Sequence, residues 1–203
     1  MRGSRETQGS STRALSQVWS RGARDDRVEG WSEKDISPWL CISVMIGTML
    51  KIGKSDWEAI RRHGEETYPH ECCGVLLGWF EDDVRVVTST ARCGNTRTDS
   101  PQNRYNIDPR ELVRIQRHGR ERGEDIVGFY HSHPDHPPRW SPTDLAEAHW
   151  ISCSYVITSV DQGVAQITNS FLLSGSDESD KQLVDEPVEV VQAAERAESR
   201  ARR

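Results

Sequence analysis

The sequence of 203 residues predicts a mixed α/β fold, on three observations. Short apolar or alternating segments mark strands, helix-capping residues mark helix starts, and the two kinds of element follow one another irregularly. This irregular order favours a mixed sheet with helices packed on it over a regular βαβ repeat. The hydrophobic share of only 34% further predicts that part of the chain lies outside the packed domain.

The first predicted elements are a helix and a hairpin. Ser55 to Glu58 has the pattern of a capping box, so a helix is predicted from about Asp56 to Tyr68, and Pro69 helps to end it. The apolar segment Cys73 to Phe80 predicts a buried strand. Val84 to Thr90 alternates between apolar and polar residues, which is typical of a strand paired with its neighbour across a short turn.

The second half of the domain is predicted in the same way. After a polar loop over residues 93–104, Asp108 and Pro109 begin a helix that runs to about Arg122 and stops at Gly123. The remaining predicted elements are a strand over residues 126–130, a helix from Ser141 to about Ser152, and a hairpin of residues 155–160 and 164–173.

The two ends of the chain differ from this middle part. Residues 1–48 are rich in Arg, Ser, Gly and Asp without sustained periodicity, which predicts a disordered extension; translation starting at Met49 would leave it out of the native protein. The domain is expected to cover residues 49–174. Residues 175–203 are expected to form a polar tail, in which residues 187–191 can add a short edge strand and residues 192–203 a weak helix.

Composition argues against several classes of protein. The net charge of -6 lacks the basic excess of a nucleic-acid-binding protein, and the longest apolar run, residues 40–50, is too short to span a membrane. No signal-peptide pattern stands near the N-terminus, and the five cysteines include no Cys-x-x-Cys pair. We therefore expect reduced thiols in a cytoplasmic protein that binds neither nucleic acid nor membrane.

The residues that point to chemistry begin at the end of the predicted strand at 126–130. His131 and His133 are two positions apart, so both imidazoles can face one ion, and a Pro-rich loop then returns the chain to Asp144 in the first turn of a helix. Two imidazoles and one carboxylate leave a coordination position open for water, which is typical of a catalytic zinc site with one ion per chain. Glu71, at the mouth of the buried strand, is the candidate for the base that takes the proton of the water.

Each of these residues also has a simpler interpretation. Asp144 is the third helical residue of a capping box and Ser141 is a good N-cap, although capping does not prevent either side chain from facing a cleft. His136 is a spare ligand candidate that we interpret as a loop residue. A thiol nucleophile is less favoured, because Cys73 begins an apolar strand and is expected in the core.

The whole pattern resembles the JAMM (MPN+) zinc metallopeptidases. The matching residues are His131, His133, Ser141 and Asp144, together with Glu71 in the segment PHECCGVLLG, and the resemblance covers roughly residues 50–173. It implies zinc binding by the two histidines and Asp144, general acid/base catalysis by Glu71, and stabilisation of the oxyanion by Ser141. The implied fold is a curved mixed β-sheet flanked by helices, of cytidine-deaminase-like architecture.

The resemblance also implies a class of substrate. The helix after Ser141 leads directly into the next strand, without room for a large insertion, so the chain looks most like the compact bacterial branch of the family. That branch is associated with ubiquitin-like sulfur-carrier proteins, from whose C-terminal tail a peptide or isopeptide bond is hydrolysed. The alternatives are a non-catalytic scaffold of the same fold, and a related domain used in DNA repair, which the acidic composition does not favour.

Overall fold

The computed structural model describes residues 48–192, which form one mixed sheet and three helices. The predicted disordered extension lies outside the described residues apart from residue 48, and the predicted C-terminal helix lies outside them apart from residue 192. The strands are β1 (Met49–Gly53), β2 (Cys73–Glu81), β3 (Val84–Cys93), β4 (Asp125–Pro134), β5 (Ser154–Asp161), β6 (Val164–Ser174), β7 (Gln182–Glu186) and β8 (Val188–Val191). The helices are α1 (Lys54–Thr67), α2 (Pro109–Glu121) and α3 (Pro142–Glu147).

The strands follow the order β7-β6-β5-β4-β2-β3-β1-β8 across the sheet. The pairs β4–β5, β1–β3 and β1–β8 are parallel, and the other neighbouring pairs are antiparallel. A mixed sheet flanked by helices confirms the predicted fold class. Among residues 48–192, no helix is long and apolar enough to cross a membrane.

The sheet is strongly curved, because its two edge strands are joined by a single residue. β7 ends at Glu186 on one edge, β8 begins at Val188 on the other, and the carbonyl of the intervening Pro187 accepts a hydrogen bond from the Leu50 amide of β1 at 2.9 Å. One residue spans only about 3.3 Å of extended chain, so the two edges must meet there. The buried side chains of Arg85 on β3 and Glu186 on β7 also approach to 3.5 Å.

The domain boundary predicted at residue 174 is therefore too early. A loop over residues 175–181 leads into β7, whose residues pair with β6 from Ser170↔Glu186 to Ser174↔Gln182. The short edge strand predicted at residues 187–191 is confirmed as β8. β7 was missed because it combines polar residues with a buried Leu183, and backbone pairing rather than apolar content holds it in place.

Two helix starts test the predicted capping residues. α1 begins at Lys54 directly after β1, with Gly53 as its N-cap and no capping bond from a side chain, so the predicted capping box at Ser55 is wrong. The predicted start of α2 is confirmed, since the Asp108 carboxylate accepts a hydrogen bond from the Arg110 amide at 2.8 Å. Because β1 runs directly into α1, the last residue of the strand, Gly53, is itself the N-cap of the helix.

The core has two parts, one on each face of the sheet. The part next to α1 includes Leu50, Ile60, Leu76, Val127, Tyr130 and Val156. The part next to α2 and α3 includes Cys73, Val75, Phe129, Tyr155, Ile157 and Leu173. Because alternate residues of a strand point to opposite faces, Tyr130 and Ser132 of β4 face α1, while Phe129, His131 and His133 face the other helices.

Candidate metal centre

The pairing of β2 with β4 places Glu71 and the histidines on the same face of the sheet. Cys73 pairs with His131, and the next positions are held by two hydrogen bonds of Cys72, whose carbonyl accepts from the Ser132 amide and whose amide donates to Ser132 Oγ. When this antiparallel register is extended by one residue beyond Cys72 and Ser132, Glu71 lies opposite His133. Ser132 faces α1 and so points away from the histidines, as predicted.

Asp144 is brought to the same place by the start of α3. The Asp144 amide donates to Ser141 Oγ at 3.2 Å, and the Ser141 amide donates to Asp144 Oδ2 at 2.6 Å, which together form a complete capping box. The Asp144 carboxylate caps the helix and also lies against both histidines, so the capping role does not exclude a role as a ligand. α3 ends at Glu147, five positions before the predicted Ser152, and Ala148 is already extended.

Potential ligand atoms of three residues converge at this point. The distance from His131 Nε2 to His133 Nε2 is 3.1 Å, that from His131 Nε2 to Asp144 Oδ1 is 3.3 Å, and that from His133 Nε2 to Asp144 Oδ2 is 3.6 Å. Ligands bound at about 2.0–2.1 Å to a tetrahedral ion lie about 3.3 Å from one another, so the spacing fits one ion. Within residues 48–192 these three residues are the cluster that satisfies the geometry of a metal site.

The two imidazole rings are oriented by different contacts. His133 Nδ1 lies 3.0 Å from the Pro137 carbonyl, and since a carbonyl only accepts, Nδ1 must donate and Nε2 is left to act as a ligand. His131 Nδ1 is buried without a hydrogen-bond partner. Its ring is instead stacked on that of Tyr105, with centroids 4.7 Å apart and an angle of 28° between the planes.

The electrostatics of the centre favour bound positive charge. Burial alone would raise the pKa of Asp144, but hydrogen bonds with His131 and His133 outweigh it and hold the pKa well below its usual value. Burial lowers the pKa of His131, which keeps its ring neutral. Burial opposes charge on His133 too, yet the hydrogen bonds to Asp144 and to the Pro137 carbonyl raise its pKa. An ionised carboxylate beside a neutral imidazole is a suitable environment for a cation.

Glu71 is a buried carboxyl group beside this cluster, with only 5% of its surface exposed. Its pKa is raised to about 8, chiefly by burial, and the negative charges of Asp144 and Glu147 contribute to the rise against the opposite effect of His133. Its backbone is fixed on both sides, since its amide donates to the Pro101 carbonyl at 2.8 Å and its carbonyl accepts from Asn95 Nδ2 at 3.3 Å. A carboxyl group with a pKa near neutrality can both accept and donate a proton.

The other residues considered from the sequence do not join the cluster. The side chain of His136 is exposed, and its backbone carbonyl accepts a hydrogen bond from Ser159 Oγ. Cys72 and Cys73 are buried, and burial raises the pKa of Cys72 to about 12, which is unsuitable for a thiolate nucleophile. All four cysteines in residues 48–192 are free thiols, as predicted.

Sequence reasoning did not assign two contacts of the centre. Tyr105 lies between the predicted elements and belongs to no motif, and the Pro137 carbonyl is a backbone group that no residue pattern identifies. The only sequence signal for either was position, since Tyr105 stands in the loop before α2 and Pro137 in the loop after His133. Both loops fold over the same face of the sheet as the histidines, and a local pattern does not report that.

Comparison with known proteins identifies a family and two related sequences. Residues 53–172 match the family described as prokaryotic homologs of the JAB domain. A protein of Haloferax volcanii named desampylase is 36% identical over 121 residues, which cover 58% of this chain and 85% of the relative. A Thermus thermophilus protein named probable TtuB-protein conjugate cleaving protease is 37% identical over 115 residues, which cover 57% of this chain and 73% of the relative.

Solved structures share the fold. The solution structure of a Desulfitobacterium hafniense protein superposes with a TM-score of 0.60 at 27% identity, covering 73% of this chain and 98% of that one. The solution structure of a Salinibacter ruber protein superposes with a TM-score of 0.52 at 36% identity, covering 68% of this chain and 91% of that one.

Proposed function

Because the chain belongs to the prokaryotic homologs of the JAB domain, we propose that it is a zinc-dependent isopeptidase of ubiquitin-like proteins. In this proposal it hydrolyses a peptide or isopeptide bond at the C-terminal tail of a ubiquitin-like protein of the sulfur-carrier type. The observation that carries the proposal is the convergence of two imidazoles and one carboxylate, with their ligand atoms within 4.8 Å of one another. The names of the two curated relatives, a desampylase and a conjugate-cleaving protease, support the class of reaction.

The proposed ligands are His131, His133 and Asp144. Two nitrogens and one oxygen leave a fourth position open, which is the ligand set of catalytic rather than structural zinc sites. Zinc in such a site lowers the pKa of bound water and polarises a substrate carbonyl. The hydrogen bond of His133 to the Pro137 carbonyl and the stacking of His131 on Tyr105 hold both rings ready for binding.

Glu71 is the proposed general acid and base. It lies opposite His133 on the same face of the sheet, and its burial keeps solvent from competing for its proton. As a carboxylate it accepts the proton of the attacking water, and as a carboxylic acid it then donates that proton to the departing amine. Burial holds its pKa close to neutrality, so both states are accessible in one catalytic cycle.

Ser141 is proposed to stabilise the oxyanion that forms when water adds to the substrate carbonyl. Its Oγ accepts a hydrogen bond from the Asp144 amide, which fixes the side chain beside the ligands. A hydroxyl group that accepts one bond still carries a hydrogen to donate, and donation to developing negative charge stabilises the transition state. The capping box thus sets the position of a ligand and of an oxyanion donor together.

The tail of the proposed substrate ends in glycine residues. A Gly-Gly tail lacks side chains, so its backbone can approach the centre closely through a narrow cleft. An isopeptide bond to a lysine side chain presents the same carbonyl as a peptide bond. One set of residues therefore serves both kinds of bond.

Metal analysis and two kinds of variant test the proposal. Purified protein should contain about one zinc per chain, and His131→Ala or Asp144→Ala should lose it. Glu71→Gln should retain zinc while cleavage of a ubiquitin-like conjugate falls about 10²–10⁴-fold. Glu58→Gln, a matched change at an exposed position of α1, should cleave like wild type. Full activity of Glu71→Gln, or full zinc occupancy in both ligand variants, would contradict the proposal.

A further inference from the structure

An apolar pocket of about 290 Å³ lies next to the metal centre. It shares the Tyr105 ring, which stacks on His131, and Glu147, which is one helical turn beyond the ligand Asp144. The pocket is lined by Arg97, Tyr105, Asn106, Ile107, Leu112, Phe129, Glu147, His149, Trp150 and Tyr155. None of the roles assigned so far uses its apolar surface.

The floor of the pocket is a rigid aromatic cluster. The rings of Phe129 and Tyr155 are stacked with centroids 5.6 Å apart, and Trp150 meets Phe129 edge to face at 5.5 Å. The Trp150 amide also donates a hydrogen bond to the Tyr155 hydroxyl at 3.1 Å. Because Phe129 and Tyr155 are buried in the core, this floor is formed before any ligand arrives.

Six of the ten lining residues are apolar or aromatic, and the other four, Arg97, Asn106, Glu147 and His149, are polar or charged. Tyr105, Ile107, Leu112 and Trp150 pack against the core but remain partly exposed, so water contacts apolar side chains here. Arg97 and Glu147 form an ion pair of 2.6 Å at the rim. An exposed apolar surface bordered by polar residues is typical of a binding site for an apolar group.

We propose that this pocket binds an apolar side chain of the ubiquitin-like protein's C-terminal tail, upstream of the glycines at the cleaved bond. The inference rests on the proposed function and adds a determinant of specificity to it. Tyr105 contacts both the ligand His131 and the occupant of the pocket, so a filled pocket aligns the tail with the centre. Ile107 and Trp150 supply the walls that distinguish an apolar from a polar side chain.

The composition of a conjugate indicates which side of the cleaved bond supplies the side chain that binds in the pocket. In a conjugate, the ubiquitin-like protein is constant whereas the modified protein varies, so a preformed pocket suits the constant partner. The terminal glycines have no side chain to bind, which leaves recognition to residues further upstream. Extended chain advances about 3.3 Å per residue, so three residues cover about 10 Å, enough to lead from the centre past the Tyr105 ring.

A peptide series tests the inference on the wild-type enzyme. The substrates carry Gly-Gly joined to a lysine side chain and differ at one residue, Leu or Ser, placed two or three positions before Gly-Gly. The Leu peptide should have a kcat/KM at least about 10-fold above that of the Ser peptide, as expected for an apolar group in an apolar pocket. Equal values for the two peptides, with clear cleavage of both, would overturn the inference and leave the proposed function intact.

Matched variants connect the preference to the pocket. Ile107→Ser should reduce the Leu-to-Ser ratio toward one, whereas Ile167→Ser, at a position of β6 that is 58% exposed and does not line the pocket, should keep it. Trp150→Ala should act in the same direction as Ile107→Ser. A Leu-to-Ser ratio of kcat/KM that Ile107→Ser leaves unchanged would overturn the assignment. A preference for Leu over Ser in the peptide that carries the modified lysine, on the other side of the cleaved bond, would overturn it too.

Binding separates this inference from the proposed function. Fluorescence anisotropy of labelled tail peptides with Glu71→Gln measures recognition without cleavage. The Leu peptide should bind at least about 10-fold more tightly than the Ser peptide, and Ile107→Ser in the same background should remove the difference. If wild type cleaves neither peptide while the Leu peptide still binds more tightly than the Ser peptide, the proposed reaction is refuted but the assignment of the pocket is not. Equal binding of the Leu and Ser peptides would refute the assignment of the pocket to the tail. A wild-type dimer that Ile107→Ser converts to a monomer would refute it as well.

Discussion

His63 should make the stability of this protein depend on pH. The residue lies on α1 with 7% of its surface exposed, and its Nδ1 is 3.0 Å from the hydroxyl of Tyr130, which precedes the proposed ligand His131 on β4. Burial, followed by the nearby Arg92, lowers its pKa from 6.5 to about 4, against a smaller opposite effect of Glu66. The imidazole is therefore neutral in the folded protein near pH 7.

The size and sign of the effect follow from these two pKa values. Because the folded pKa is the lower one, the unfolded chain binds more protons between pH 6.5 and pH 4, and stability falls as the pH falls through that range. One pKa unit corresponds to 1.36 kcal/mol, so the full loss is about 3 kcal/mol. Between pH 7.5 and pH 5 the same linkage removes about 2 kcal/mol of the free energy of unfolding.

Urea unfolding of wild type and His63→Gln measures the effect. The free energy of unfolding is determined at pH 7.5 and pH 5 with a chelator present, so that loss of metal in acid does not contribute. Wild type should lose about 2 kcal/mol more than His63→Gln between the two pH values. His118→Gln, a matched change on the exposed face of α2, should behave like wild type. If wild type and His63→Gln lose the same free energy within about 0.5 kcal/mol, the reasoning is refuted.

Three further outcomes are expected. Tyr105→Leu removes the stacking on His131 and should weaken zinc binding about 2- to 10-fold in competition with a chromophoric chelator, whereas Tyr105→Phe should match wild type; equal affinities would contradict it. Arg85→Met removes the charged partner of the buried Glu186, which keeps its hydrogen bond from Ser170 Oγ, and should cost about 3–5 kcal/mol in urea unfolding; a loss below about 1 kcal/mol would be inconsistent with this. Added zinc should raise the Tm of chelator-treated wild type but not of Asp144→Ala, and equal shifts would argue against the ligand set.

Much of the fold could be predicted because its signals are local. The apolar segment of β2, the hairpin of β5 and β6, and the Asp108 and Ser141 caps are each encoded within a continuous segment of at most 21 residues. His131 and His133 share a face simply because alternate residues of a strand do, and this holds whatever the strand packs against. The strand was predicted over residues 126–130 with both histidines at its end, whereas β4 continues to Pro134 and includes them.

Other features depend on pairing between distant segments. β7 has too few apolar residues to be recognised from its own sequence. It forms because its backbone groups hydrogen-bond with those of β6 at the edge of the sheet. The cap expected at Ser55 fails for a related reason, since β1 pairs with β3 and β8 up to the start of α1. Backbone hydrogen bonds carry no side-chain signature in sequence.

The residue types and spacing of the metal centre follow from the sequence alone, because a strand and a capped helix on either side of a short loop must place His131, His133 and Asp144 near one another. The position of Glu71 opposite His133 requires the register of β2 against β4, which joins residues 47 to 60 positions apart in the chain. The contact of Tyr105 with His131 and the aromatic pocket beside it likewise arise from loops and strands that meet only in the folded chain. Spacing along the chain is a local property, whereas burial, register and the shape of a cavity exist only once distant segments have packed together.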